Sequence, residues 1–229
     1  NPAGANRITT GFVRHGMLLA YTAVTGGLML SGLFFSLSRG GWIGAAVAVV
    51  VVGLLLSRRA LVGSLVTASL VSLFLAVGGA GRLPEGVRQR ATDFLPYLGL
   101  VDIRLVEVTD ANFAVIERLA HWWAAIAMFV DRPWLGVGIG NYAAVYPAYS
   151  MPRWQDPLGH AHNFYLNVAA ETGLVGLVSY LALWAAALAL AWQAVRRTAG
   201  LWRGIAAGCL GAFIHLSVHN FFDNLYVHG

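Results

Sequence analysis

The sequence predicts an all-α fold, a polytopic membrane bundle of about five transmembrane helices with one large segment outside the membrane. The chain has 229 residues, of which 58% are hydrophobic and 11% are charged. A soluble domain carries roughly 25% charged residues. Several apolar runs approach the ~20 residues that a helix needs to cross a bilayer. These observations exclude a disordered chain and argue against an ordinary soluble domain.

Five apolar runs are the candidate membrane spans. They cover residues 17–37, 42–56, 60–77, 164–195 and 201–222. We therefore expect an N-terminal three-helix membrane part over residues 1–79, a non-spanning segment over 80–160, and a C-terminal two-helix membrane part over 161–229. The chain begins Asn1-Pro2 with one apolar run before Ser38, so we expect the N-terminal part to be truncated.

The arginines predict the orientation of the spans. All 15 basic residues are arginine, and seven of them stand in short connections that lack acidic residues: Arg7, Arg14, Arg58, Arg59, Arg196, Arg197 and Arg203. Five alternating spans bring these connections to one side, which the positive-inside rule makes cytoplasmic. The net charge of +5 therefore reports membrane topology, and no nucleic-acid partner is expected. The single cysteine, Cys209, excludes an intrachain disulfide.

The outer segment is predicted to contain an amphipathic helix. Asp110 can cap a helix that runs to about residue 130 and stops before Pro133. Its apolar part, residues 119–130, is expected to be too short to span, so the helix should lie on the membrane or pack on the bundle. Arg118, His121 and Trp122 would share one face because they stand at i, i+3 and i+4.

Polar residues beside or within apolar runs are the candidates for chemistry. Arg39 is costly near a bilayer, and its guanidinium could bind phosphate oxygens or extend to interfacial water. His162 and Asn163 open the fourth run, where an imidazole could act as a base or as a polar interface residue. Glu171, about two turns further on, should pair with an arginine or face a cavity.

No metal site is predicted from the remaining histidines. His160 and His162 stand two positions apart, which on a helix would point them away from each other, and no cysteine is nearby. His215, His219 and Asp223 repeat every four residues and would form a polar stripe on one helix face. Position 216 lacks the glutamate that serves as the base of a zinc-peptidase helix.

Short motifs along the chain occur in an order typical of a known family. They are Ser38-Arg39-Gly40, Glu117-Arg118 with Trp122, the run from Pro133 to Gly138, and His219-Asn220. The most specific is His162-Asn163, nine residues, Gly173, two residues and Gly176. The chain thereby resembles the C-terminal half of the O-antigen ligase and polymerase superfamily, with a ligase-like pattern.

The resemblance implies a function. It implies a GT-C-like glycosyltransferase of the bacterial inner membrane, with its active site facing the periplasm. Such an enzyme moves a glycan from undecaprenyl diphosphate to a lipid A-core acceptor and uses no nucleotide sugar, cofactor or metal. By position, His162 matches the catalytic histidine with Asn163 beside it, and Arg39 and Arg118 match arginines that hold the diphosphate. The possible supporting residues are Ser38, Glu171, His160 and His219.

Three alternatives stay open at this point. A polysaccharide polymerase or a protein O-oligosaccharyltransferase of the same superfamily would share these motifs, and would use a growing glycan or a protein as acceptor. A transporter for anions or protons, using the intramembrane histidines and Arg39, belongs to a different class. No inverted repeat of the kind found in many transporters is visible in the sequence.

Overall fold

The computed structural model describes residues 2–57, 59, 61–63, 65–66, 69, 103–110 and 112–226. Within these ranges the regular secondary structure is helical, which confirms the predicted all-α class. The α-helices with defined bounds there are α1 (Pro2–Phe35), α2 (Arg39–Leu56), α3 (Phe113–Asp131), α4 (Tyr142–Val145), α5 (Phe164–Arg197) and α6 (Gly200–His219). Residues 59, 61–63, 65–66 and 69 are also helical. Short 3-10 helices cover Ile103–Leu105 and Tyr146–Ala148.

Helix α1 belongs to a compact unit of its own, Asn1–Ser38. Its apolar part is Leu19–Phe35. The hydroxyls of Thr25 and Ser31 each donate to a backbone carbonyl one turn earlier, both at 2.8 Å. These bonds satisfy polar groups that an apolar helix would otherwise leave unpaired.

Helices α2, α6, α5 and α3 pack on one another in that order within the second unit, Arg39–Gly229. Two glycines allow α2 to approach α6 closely. A Cβ atom at Gly40 would lie 2.6 Å from Cδ2 of His219, and one at Gly44 would lie 2.8 Å from the carbonyl oxygen of His215. The start of α2 therefore lies beside the end of α6.

Helix α5 is interrupted at Gly173, where φ is 63° and ψ is −162°. The segment that follows α3 fills the gap. Its Pro133 carbonyl accepts the N–H of Leu174 at 2.7 Å, and its Val137 N–H donates to the Ala170 carbonyl at 2.9 Å. The backbone groups freed by the break are thus paired by a neighbouring loop, which also ties the end of α3 to the middle of α5.

Three of the five predicted spans correspond to helices that could cross a membrane, whereas the apolar part of α1, Leu19–Phe35, is shorter than such a span. Helices α2, α5 and α6 are long and apolar enough to cross a membrane and correspond to the runs 42–56, 164–195 and 201–222. The run 17–37 corresponds to the second half of α1. Most of the run 60–77 lies outside the described residues.

Helix α3 corrects the sequence prediction in two respects. Its 19 residues also have the length and composition of a membrane span, so the expectation that it is too short is wrong. The apolar stretch before Glu117 lengthens it. It begins after Asn112 rather than Asp110, and Asn112 Oδ1 accepts the N–H of Thr109 at 2.8 Å. The predicted packing on the bundle is confirmed, because one face of α3 is buried against α5.

Candidate active site

His162 lies in a tight turn immediately before α5. Its φ is +51°, and the turn also contains Leu158 at +46° and Gly159 at +81°. The left-handed conformation costs a non-glycine residue about 1–2 kcal/mol, so the turn has to be held by other contacts. One of them is a hydrogen bond in which the backbone N–H of His162 donates to Nδ1 of His160, at 3.1 Å.

Three buried asparagines fix the start of α5 behind this turn. Asn163 is the N-cap residue, and its side-chain oxygen accepts a backbone N–H of the first helical turn at 3.1 Å. Asn167 Oδ1 accepts the N–H of Ala161 at 3.0 Å. The backbone carbonyl of Asn220 accepts the N–H of Phe164 at 2.9 Å. The turn carrying His162 is therefore anchored to α5 and to the end of α6.

The His162 ring faces a carboxylate that also faces an arginine. Nδ1 of His162 lies 3.4 Å from Oδ1 of Asp223, and Nη2 of Arg118 lies 3.7 Å from Oδ2 of the same carboxylate. Nε2 of His162 is buried and has no hydrogen-bond partner among the described residues. An imidazole that donates through Nδ1–H to a carboxylate has its lone pair on Nε2. The arrangement thus leaves Nε2 able to accept a proton.

Asp223 is held in its ionised form. Partial burial favours the neutral acid, but hydrogen bonds from His162 and from the backbone N–H of Asn224, together with the charge of Arg118, outweigh it. They lower the pKa of Asp223 from 3.8 to about 2. At neutral pH a negative charge therefore lies beside Nδ1 of His162.

Helix α3 presents three residues to this site, as their spacing predicts. Arg118 contacts Asp223, and Trp122 donates its indole N–H to the carbonyl oxygen of His162 at 3.3 Å. The ring of His121 is buried edge-to-face against the ring of His162, with 5.5 Å between the centroids. The predicted face of Arg118, His121 and Trp122 is confirmed.

Arg39 enters the same end of the bundle from α2. It is the first residue of that helix, and the neighbouring Gly40 lies against His219 and Phe222, one residue before Asp223. Arg39, Arg118, His162 and Asp223 thus come from four separate stretches of the sequence and gather near the C-terminal end of α6. Ser38, the remaining residue of the Ser38-Arg39-Gly40 motif, belongs to the first compact unit.

Comparison with known families shows where the chain belongs. The sequence model of the O-antigen ligase family matches residues 24–181, more than half of the chain. The chain belongs to the O-antigen ligase family. This membership supports a multi-pass membrane glycosyltransferase of the O-antigen ligase or polymerase type, acting on lipid-linked glycans. A search of curated proteins found no match to the chain.

Glu171, which the sequence predicts to pair with an arginine or face a cavity, binds a backbone N–H group. Its Oε1 accepts the backbone N–H of Tyr142 at 3.1 Å. The carboxylate therefore holds the start of α4 against α5, about two turns along the helix from His162. This bond from a backbone N–H compensates part of the charge.

His160 and His162 also correct the argument made from their spacing. Both precede the first residue of α5, so the helical geometry that would separate them does not apply, and their ring centroids lie 4.3 Å apart. With Asp223 they form a group whose possible ligand atoms lie within 4.8 Å of one another. Hydrogen bonds engage Nδ1 of His160 and Nδ1 of His162, and Arg118 faces Asp223.

The polar stripe predicted on the last helix is only partly formed. The rings of His215 and His219 are 5.5 Å apart on α6, but Asp223 lies beyond the end of that helix and turns towards His162. Sequence reasoning therefore missed the role of Asp223. The one indication was its position, one helical turn after His219 at the end of the bundle where His162 also lies.

Two tyrosines that the sequence analysis passed over support the site from behind. Tyr142 donates its hydroxyl to the carbonyl oxygen of His121 at 3.2 Å, and its own oxygen lies 3.2 Å from Nδ1 of His121. Tyr146 stacks on the His121 ring at 4.6 Å and donates to the Trp154 carbonyl at 2.9 Å. Burial raises the pKa of Tyr146 to about 12, so it remains a neutral donor. These contacts link Tyr142 and Tyr146 to His121, whose ring packs against His162.

Proposed function

We propose that the protein is an inner-membrane glycosyltransferase that moves a glycan from undecaprenyl diphosphate to a lipid A-core acceptor, at a site that faces the periplasm. The ligase-like His162 spacing favours this acceptor. The reaction breaks the bond between the sugar C1 and the diphosphate oxygen and forms a bond from C1 to an acceptor hydroxyl oxygen. The hydroxyl loses its proton, and the lipid diphosphate leaves with a negative charge.

His162 is the general base of this proposal. The observation that carries it is the buried Nε2 without a partner among the described residues, on a ring whose Nδ1 faces the ionised Asp223. Neutral imidazole accepts a proton efficiently near pH 7, and an adjacent carboxylate stabilises the resulting cation. Asn163 contributes by capping α5 and thereby orienting the turn that carries the base.

Arg118 and Arg39 are the proposed ligands of the diphosphate. Arg118 has a side chain about one third exposed, so its remaining N–H donors are accessible beyond the contact with Asp223. Guanidinium groups bind phosphate oxygens in bidentate geometry and stabilise the charge that develops as the diphosphate departs. Two guanidinium groups can neutralise the charge that develops on the diphosphate. We therefore propose that the reaction requires no metal.

The test is transfer from a purified lipid-diphosphate glycan, using the full-length protein in lipid nanodiscs. We expect His162→Ala to lower the rate of transfer by at least about 1,000-fold, which lies within the usual contribution of a general base to the rate. Binding of the donor should persist. The control is His215→Gln, which changes another half-buried histidine that the proposal does not use. Normal transfer by His162→Ala would overturn the proposal.

The same assay separates the possible acceptors. Lipid A-core, a growing glycan and an acceptor protein are offered in parallel to one donor. Elongation of lipid A-core alone is the expected result. Elongation of the glycan or of the protein instead would assign the chain to the polymerase or protein-transferase type and would replace the acceptor in this proposal.

A further inference from the structure

The backbone amide of His162 is engaged by a side chain two residues earlier. Its N–H donates to Nδ1 of His160 at 3.1 Å, and the two rings lie edge to face with centroids 4.3 Å apart. An acceptor on residue i that takes the N–H of residue i+2 is the geometry of an Asx turn, with an imidazole in place of the usual carboxylate or amide. It closes the turn at the residue whose φ is +51°.

Nδ1 of His160 can play this part only if it carries no proton. Burial lowers the pKa of His160, and the neighbouring His162 and Arg118 lower it further, against an opposing effect of Asp223. The ring is therefore neutral near pH 7, with Nδ1 as acceptor and the proton on Nε2. A protonated ring would turn an N–H donor towards another N–H donor.

The other contacts of the turn show what this bond adds. Asn167 holds the N–H of Ala161, and Asp156 Oδ1 holds the N–H of Leu158 at 3.2 Å. Each of these fixes a flanking residue. In the described part of the turn, only the bond to His160 engages the backbone N–H of His162, while Trp122 holds the His162 carbonyl oxygen. The His160 bond therefore bears on the direction in which the His162 ring leaves the backbone.

We propose that His160 is a positioning residue, whose Nδ1 accepts the His162 amide and so holds the turn that directs the His162 ring towards Asp223. The inference rests on the proposed function only for its effect on transfer; the hydrogen bond itself is independent of that function. It predicts that any side chain able to close the same turn can replace the imidazole.

Three variants test the proposal in the full-length protein in nanodiscs. His160→Asn keeps an acceptor at the Asx position, whereas His160→Phe keeps the aromatic bulk without one, and His160→Ala removes both. We expect His160→Asn to retain a kcat within about threefold of the original. We expect His160→Phe and His160→Ala to lose about tenfold or more in kcat, equivalent to about 1.4 kcal/mol, with the KM for the donor changed less than about twofold. Equal losses in all three variants would overturn the proposal.

Amide hydrogen exchange gives a readout that does not depend on activity. Exchange at residue 162, resolved by overlapping peptides, should be at least about tenfold faster in His160→Phe than in the original and close to the original in His160→Asn, since a lost hydrogen bond exposes the amide. Unchanged exchange in His160→Phe would overturn the inference. If His162→Ala keeps full activity, the proposed function fails, while the exchange results still decide the role of His160.

A chelator arm separates this role from metal binding. Activity and exchange should be the same before and after treatment with a chelator. If chelation lowers activity and speeds exchange at residue 162, and Zn²⁺ restores both, His160 acts as a metal ligand. This result would overturn the positioning role.

Discussion

Replacing Asp223 by asparagine tests the electrostatics of the proposed site. The carboxylate stands between Nδ1 of His162 and Nη2 of Arg118 and offers one oxygen to each. An amide has a single oxygen, and the cation competes for it more strongly because charge-assisted bonds are the stronger ones. The amide NH₂ would then point at Nδ1 of His162. This moves the imidazole proton to Nε2 and removes the lone pair that the mechanism needs.

The size of the effect follows from the geometry. The 3.4 Å separation between Nδ1 and Oδ1 is long, so we take the lower part of the range for hydrogen bonds to charged groups, about 1.5–2 kcal/mol. The contact with Arg118 joins side chains that are about one third exposed, so it adds at most about 1 kcal/mol. A total of about 1.5–3 kcal/mol corresponds to a decrease of about 13- to 160-fold in kcat.

Single-turnover transfer in nanodiscs measures this decrease without interference from product release. The matched control is Asp131→Asn, which changes another carboxylate to an amide. Asp131 accepts a hydrogen bond from the exposed Tyr149 hydroxyl at 2.7 Å, at the far end of α3 from Arg118. It should leave transfer unchanged. If the transfer rate of Asp223→Asn stays within threefold of the original rate, the argument that this carboxylate sets the tautomer of His162 is refuted.

Two further predictions concern stability. Because the pKa of Asp223 is lowered from 3.8 to about 2, its stabilising effect is complete above about pH 4 and is lost as the pH falls towards 2. The melting temperatures of the original protein and of Asp223→Asn in detergent should therefore converge as the pH falls from 4 to 2. A constant difference would contradict the lowered pKa of Asp223. Gly173→Ala should destabilise the protein by at least about 2 kcal/mol, measured by denaturation in mixed micelles. Residues with a Cβ atom rarely adopt its combination of φ 63° and ψ −162°, and the new Cβ would collide with the Trp134 backbone. Gly204→Ala, in open space on α6, is its control and should stabilise the protein slightly, by up to about 1 kcal/mol. A similar loss of stability in both variants would contradict the role of the break.

Hydropathy and spacing predicted the parts of the fold that depend on local sequence. The apolar runs located α2, α5 and α6, and the i, i+3, i+4 spacing on α3 gave the face of Arg118, His121 and Trp122, because helical periodicity alone decides which residues share a side. Asp223 could not be assigned in this way. Its partners are 61 residues away for His162 and further for Arg118, and only packing brings them together.

The cap of α3 and the interruption of α5 were also beyond local reasoning. Asp110 and Asn112 are both good capping residues, and the choice between them depends on the turn at Thr109 that Asn112 closes. A glycine inside an apolar run usually signals close packing between helices. Gly173 instead breaks the helix, and what makes the break stable is the loop after α3 that pairs the freed backbone groups.

The break explains the spacing of one motif in physical terms. The motif is His162-Asn163, nine residues, Gly173, two residues and Gly176. The nine residues form a half-helix about 13 Å long, at a rise of about 1.5 Å per residue. One end of it holds the His162 turn through the Asn163 cap, and the other ends at Gly173, where the loop from α3 enters. Gly176 lies under the Thr172 side chain, where a Cβ would collide with it. The length of the half-helix therefore sets the distance between the base and the loop that anchors α3. Since α3 carries Arg118, the same spacing fixes the proposed base relative to a proposed diphosphate ligand.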